Sequence, residues 1–136
     1  MRLKLQRTAL LLAVSGLLLL IINVALAQKD TTPKKRLRSP ATVKGFIGGE
    51  SHDSYVIRAR QGQIMTVQIS WLREDDNQAS FTVSASPNFF NSEAVTFGKE
   101  SQGGRQWTGK IPKTGEYFIY VVAHPTAQYT LKVTVK

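Results

Sequence analysis

From residue 41 onward, apolar and polar side chains alternate in short runs that break about every ten residues at Gly, Pro, Asn, Asp or Ser. The clearest run closes the chain. Tyr129, Leu131, Val133 and Val135 fall on one face of an extended segment, and Thr130, Lys132, Thr134 and Lys136 fall on the other. Period two with one wet face marks a strand on the outside of a sandwich. Just upstream, Trp107-Thr-Gly109-Lys reads as a strand, Ile111 to Gly115 as a Pro/Gly turn, and Phe118 to Val122 as a buried strand.

Earlier runs follow the same rule. Ala41 to Ile47 is a strand ended by Gly48-Gly49. Tyr55, Ile57 and Ala59 share a face opposite Val56, Arg58 and Arg60, and after Gln61-Gly62 a further face holds Met65, Val67, Ile69 and Trp71. That pair is predicted to form a hairpin. Arg73 to Gln78 is a polar loop, and Phe81, Val83 and Ala85 mark a strand ended at Ser86-Pro87-Asn88. A short strand is predicted around Ala94 to Phe97, followed by a flexible turn at Ser101 to Gly104. No helical period appears after residue 40. The expectation is an all-β fold over residues 41–136: a two-sheet antiparallel β-sandwich, jelly-roll-like, of about eight strands.

The first 27 residues break the pattern. Arg2, Lys4 and Arg7 precede an uncharged run from Ala9 to Ala27, and Ala25-Leu26-Ala27 supplies a small-x-small cleavage pattern before Gln28. This predicts a signal peptide over 1–27. An uncleaved anchor, which would be the chain's one membrane contact, stays open because the run is long enough to span. Either way, export is implied.

Charge is unevenly spread. The formal charge is +9, but without Arg2, Lys4 and Arg7 the count is 15 basic against 9 acidic, or +6. Lys29, Lys34, Lys35, Arg36 and Arg38 against Asp30 hold +4 of this, leaving 10 basic against 8 acidic, or +2, from Ala41 onward. The body is nearly neutral. Residues 28–40, bounded by Pro33 and Pro40, read as a basic flexible linker. Its basic residues are not interleaved with aromatics, which argues against nucleic acid.

Candidate chemistry is sparse. With no cysteine in the chain, thiolate zinc sites, thiol nucleophiles and iron–sulfur clusters are excluded. Ser51-His52-Asp53-Ser54 contains the residue types of a hydrolase triad, but triad members converge from separate elements, and no Gly-x-Ser-x-Gly elbow is present. Glu74-Asp75-Asp76-Asn77 could hold calcium, yet consecutive acids lack the alternating spacing of a calcium loop. Neither a catalytic centre, a metal nor a cofactor is expected. Phe89-Phe90 cannot both point inward on a regular strand, so either one is exposed for a ligand or a partner, or a loop folds over the core there.

The spacing Gly45-Phe-Ile-Gly48…Asp53-Ser-Tyr55…Ala59-Arg-Gln-Gly62-Gln63, with Gly109-Lys-Ile-Pro112-Lys-Thr-Gly115-Glu-Tyr117…Tyr129-Thr-Leu131, resembles the bacterial pre-peptidase C-terminal β-sandwich. Exported single-domain versions of this pattern are similar to the periplasmic inhibitors of goose-type (g-type) lysozyme. The resemblance implies a non-enzymatic binding protein of the periplasm or envelope, with g-type lysozyme or another envelope protein or glycan as partner. It implies loops at one end of the sandwich that enter the enzyme cleft. The residues placed there are Ser51, His52, Asp53, Arg105, Lys113, Thr114, Glu116, His124 and Gln128. The chain departs from the pattern at His124 to Gln128, which is short and lacks Lys and Arg where the family loop is longer and strongly basic.

Overall fold

A computed structural model of the protein describes residues 28–136, so the leader assigned to 1–27, with its cleavage after Ala27, lies outside the described residues. Nine strands follow one another: β1 (Lys34–Arg36), β2 (Ala41–Gly48), β3 (Asp53–Ala59), β4 (Ile64–Trp71), β5 (Gln78–Ser84), β6 (Gly98–Ser101), β7 (Gln106–Lys110), β8 (Gly115–His124) and β9 (Thr126–Val135). A single 3-10 turn, Phe89–Asn91, separates β5 from β6. The strands form a four-stranded sheet, β1-β3-β8-β5, and a five-stranded sheet, β2-β9-β4-β7-β6.

The alternation explains the sandwich. Tyr55, Ile57 and Ala59 of β3 and Tyr117, Ile119, Val121 and Ala123 of β8 face Met65, Val67 and Ile69 of β4 and Tyr129, Leu131 and Val133 of β9. Each sheet thus turns one apolar face inward, as aligned sandwiches do. Strand β9, paired to β2 on one side and β4 on the other, keeps Lys132 in solvent, as its alternation predicts.

Three sequence expectations need correction. First, β3 and β4 are not a hairpin, because they lie in different sheets. The Gln61-Gly62 turn carries the chain across the sandwich, tied by Gly62 N–H to the Ile111 carbonyl at 2.8 Å. Alternation cannot tell a hairpin from such a crossing, since both strands need only one inward face. Second, the strand expected at Ala94–Phe97 is reduced to a single bridge, Ser84 to Ala94, and pairing resumes one residue later in β6. At Gly98, where β6 begins, a Cβ would lie 2.1–2.3 Å from the Trp107 indole, so only glycine lets that ring pack against the strand.

Third, residues 28–40 are not a free tether. Lys34–Arg36 add a parallel edge strand to β3, and Leu37 is buried, with its N–H bonded to the Val56 carbonyl at 2.8 Å. One apolar residue among charges gives no periodic signal, yet burying it with a short hydrogen-bonded ladder holds the segment in place.

The registers define two ends. At one, which we call the upper end, lie Gly48, Asp53, Trp71, Gln78, His124 and Thr126. At the lower end lie the β3–β4 crossing and the Ile111–Thr114 turn before β8.

Candidate functional site

Two polar clusters organise the upper end. The first is inside the sandwich. The Tyr129 hydroxyl donates to the Asp53 carboxylate, and the Tyr55 hydroxyl donates to the Tyr129 oxygen. Lys35 of β1 closes the cluster, with Nζ 3.6 Å from Asp53 Oδ1 and 5.5 Å above the Tyr55 ring centroid. Burial, reinforced by the bonds to Asp53 and Tyr55, pushes the Tyr129 phenol far up. Gly45 makes room for this tyrosine: a Cβ at 45 would sit 2.6 Å from the ring. The Gly45 and Tyr129 positions of the sequence pattern are therefore one packing contact.

The second cluster sits on the outer face of the four-stranded sheet. His52 Nε2 lies 3.2 Å from Asp30 Oδ1, and its ring stacks on Phe89 with centroids 3.8 Å apart. Asp30 also accepts from the amides of Phe89 (3.2 Å) and Thr32 (3.0 Å). Burial raises its carboxyl pKa, but the two amides, His52 and Lys34 outweigh that and hold it below the ordinary value. Beneath lie Val56, Phe118 and Tyr120, a small second core covered by Phe89. The Tyr120 hydroxyl donates to the Ser86 carbonyl at 2.6 Å, and burial together with the charge of Asp30 pushes its pKa up to about 12.

These contacts dissolve the apparent triad. Ser51 is exposed, His52 turns to the outer face, Asp53 turns inward, and the buried Ser54 hydroxyl has no hydrogen-bond partner among the described residues. The acidic loop is held by Asn77, whose Oδ1 accepts from the Glu74 amide and whose Nδ2 donates to the Leu72 and Thr126 carbonyls. Among the described residues no group of three or more His, Cys, Asp or Glu could hold a metal ion.

The residues expected at one end are divided between two. Ser51, Asp53, Arg105, His124 and Gln128 lie at or near the upper end. Lys113, Thr114 and Glu116 lie at the lower end, where they tie the turn together. Thr114 Oγ1 accepts from the Gln61 amide at 2.8 Å, the Lys113 carbonyl accepts from the Tyr117 hydroxyl at 2.6 Å, and Glu116 pairs with Arg36 at 2.6 Å. At the upper end, Arg105 lies over the Trp71 ring at 4.7 Å and Arg73 at 6.0 Å. Both border a polar groove of about 460 Å³ shared with Asp75, Asp76 and Glu100. Sequence reasoning did not single out Trp71, Arg73 or Lys35, because their spacing from Arg105 and Asp53 exists only in the fold.

This is a two-sheet β-sandwich with a loop-rich polar end, and solved structures share that architecture. By sequence, no known protein family and no curated protein matches the chain. In structure, it is similar to PliG from Aeromonas hydrophila, a periplasmic inhibitor of g-type lysozyme (24% identity, 77% of this chain and 97% of that one, TM-score 0.62). It is also similar to PliG from Salmonella Typhimurium (19% identity, 76% and 98%, TM-score 0.54). The pre-peptidase C-terminal domain of Bacillus anthracis collagenase aligns as well (19%, 79% and 100%, TM-score 0.56). At these identities the likeness establishes the shared sandwich.

Proposed function

We propose that the chain is an exported envelope protein that inhibits g-type lysozyme by seating the upper end of its sandwich in the enzyme's cleft. The observation that carries this reading is the fold shared with two PliG inhibitors across nearly the whole of each. A glycosidase cleft is built around a pair of carboxyl groups. The upper end offers Arg105 and Arg73 held against Trp71, with Ser51 and His124 exposed on neighbouring turns. A guanidinium pairs with a carboxylate in two parallel bonds, which suits Arg105 and Arg73 to take the place of the basic residues that the family pattern leads one to expect at residues 124–128.

The test is inhibition of purified g-type lysozyme, with Arg105→Ala set against Lys113→Ala/Glu116→Ala. The upper-end change is expected to weaken inhibition at least tenfold and the lower-end pair less than twofold. No inhibition by the unaltered protein would end the proposal. The likeness to the collagenase domain favours one alternative, an accessory module that binds envelope protein or glycan without inhibiting any enzyme. Retention on peptidoglycan without inhibition would select it.

A further inference from the structure

Among the described residues the outer face of the five-stranded sheet is open, with its positions aligned row by row across the strands. Lys99, Thr108, Thr66 and Thr134 stand side by side. The next row is Ser101, Gln106, Gln68, Lys132 and Thr42, then Ser70, Thr130 and Lys44, and finally Leu72, Gln128 and Phe46. At the lower edge Ile64 lies between Lys110 and Lys136.

Three properties of this face point the same way. It carries Lys44, Lys99, Lys110, Lys132 and Lys136, all exposed, and no Asp or Glu. None of these lysines belongs to an ion pair among the described residues. From Ala41 onward the net charge is only +2, so half of the ten basic residues of that span gather on one face while the acids lie elsewhere. Between the lysines the floor is hydroxyl and amide: Gln68 Nε2 donates to Gln106 Oε1 at 2.8 Å, which fixes both amides in place. At the upper edge a shallow groove of about 570 Å³ runs over Gln128 and Thr130, between Leu72 and the 65%-exposed Phe46, with Lys44 beside it.

We propose that this face binds an acidic polysaccharide, a glycan bearing carboxylates along an extended chain. Lysines pair with the carboxylates, the Thr and Gln floor meets sugar hydroxyls, and Phe46 offers a ring face to one sugar. Charge complementarity selects the polyanion. The flat floor of hydrogen-bonding side chains selects a glycan over a lipid surface, which needs a broad apolar insertion face. The proposal concerns a face that meets the upper end only around Gln128, and it stands whether or not the protein inhibits lysozyme.

The experiment measures retention of the protein on immobilised polygalacturonate, neutral dextran and polyacrylate, a carboxylate polymer without sugars. The expected result is retention on polygalacturonate at 0.15 M salt, later elution from it than from polyacrylate, and none on dextran. Lys44→Gln/Lys99→Gln/Lys132→Gln should lower the affinity at least tenfold. Lys29→Gln/Arg58→Gln/Arg60→Gln, which removes the same charge elsewhere, should change it less than twofold. Phe46→Ala should weaken binding to polygalacturonate by about threefold or more and leave polyacrylate unaffected. Equal elution from polygalacturonate and polyacrylate, equal loss in both triple variants, or tighter binding to phosphatidylglycerol vesicles than to polygalacturonate would each overturn the proposal. Circular dichroism melts confirm that the variants are folded.

Discussion

The two sheets of this sandwich share an inner core and differ on their outer faces. The outer face of the four-stranded sheet carries Val56, Phe118 and Tyr120, and the chain brings Phe89, His52 and the segment around Asp30 to cover them. The outer face of the five-stranded sheet carries mainly Thr, Gln, Ser and Lys, with Phe46, Leu72 and Ile64 at its edges, and among the described residues it is left to solvent. The difference shows that an outward strand position is decided by what the rest of the chain lays over it. Three apolar outward residues create a demand for cover, and the flanking segments meet it with contacts 22 and 59 residues apart in sequence. Where outward residues are polar, no such demand exists and the surface remains available.

Substitutions at matched positions test this contrast. The largest effect is expected for Phe118→Ala on the covered face, with a loss of about 3–5 kcal/mol in urea unfolding, the usual cost of emptying a buried aromatic site. A loss below about 1 kcal/mol would mean that the cover collapses into the space without penalty. His52→Ala removes the stack on Phe89 and one partner of a buried carboxylate, for about 2 kcal/mol. Amide exchange of residues 28–37 should accelerate in that variant. Unchanged protection there would show that β1 is held without the cluster.

The pH dependence of the cover follows from Asp30. Its folded pKa lies below the ordinary value of 3.8, so its contribution is fully present above that value and is lost as pH falls through the lower folded value. Loosening of residues 28–37 on acidification, followed by hydrogen exchange, should therefore occur below about pH 4, and Asp30→Asn should abolish the transition. Ser54→Ala should be neutral or stabilise by up to about 1 kcal/mol, because the buried hydroxyl it removes has no partner among the described residues. Gln68→Ala on the open face should shift stability by less than about 0.5 kcal/mol.

The inner core was legible from sequence because Tyr129, Leu131, Val133 and their counterparts on β3, β4 and β8 repeat at period two, a local signal. The two-sheet architecture followed from it. What escaped was long-range. Nothing adjacent to Asp30 announces that it will meet His52 and Phe89, and nothing in the β3–β4 alternation states that the Gln61-Gly62 turn changes sheets. The candidate site was half legible for the same reason. Turn residues such as Ser51, Lys113 and His124 could be picked out, but their sorting to opposite ends depends on register. The neighbours of Arg105 depend on the loop that carries Arg73 and Asp75.

One consequence of β1 concerns solubility. An open sheet edge invites a second chain to pair with it, and charged residues on the edge strand are a common way to prevent this. Here one edge of the four-stranded sheet is Lys34-Lys35-Arg36, and just inside it runs β3, whose Tyr55-Val56-Ile57 stretch is entirely buried. Losing this segment, by truncation before Arg38, would bare the β3 backbone beside its apolar side chains. The species left behind has its sandwich core and an unprotected edge, the starting point for sheet-to-sheet aggregation. The basic segment thus shields the fold from copies of itself.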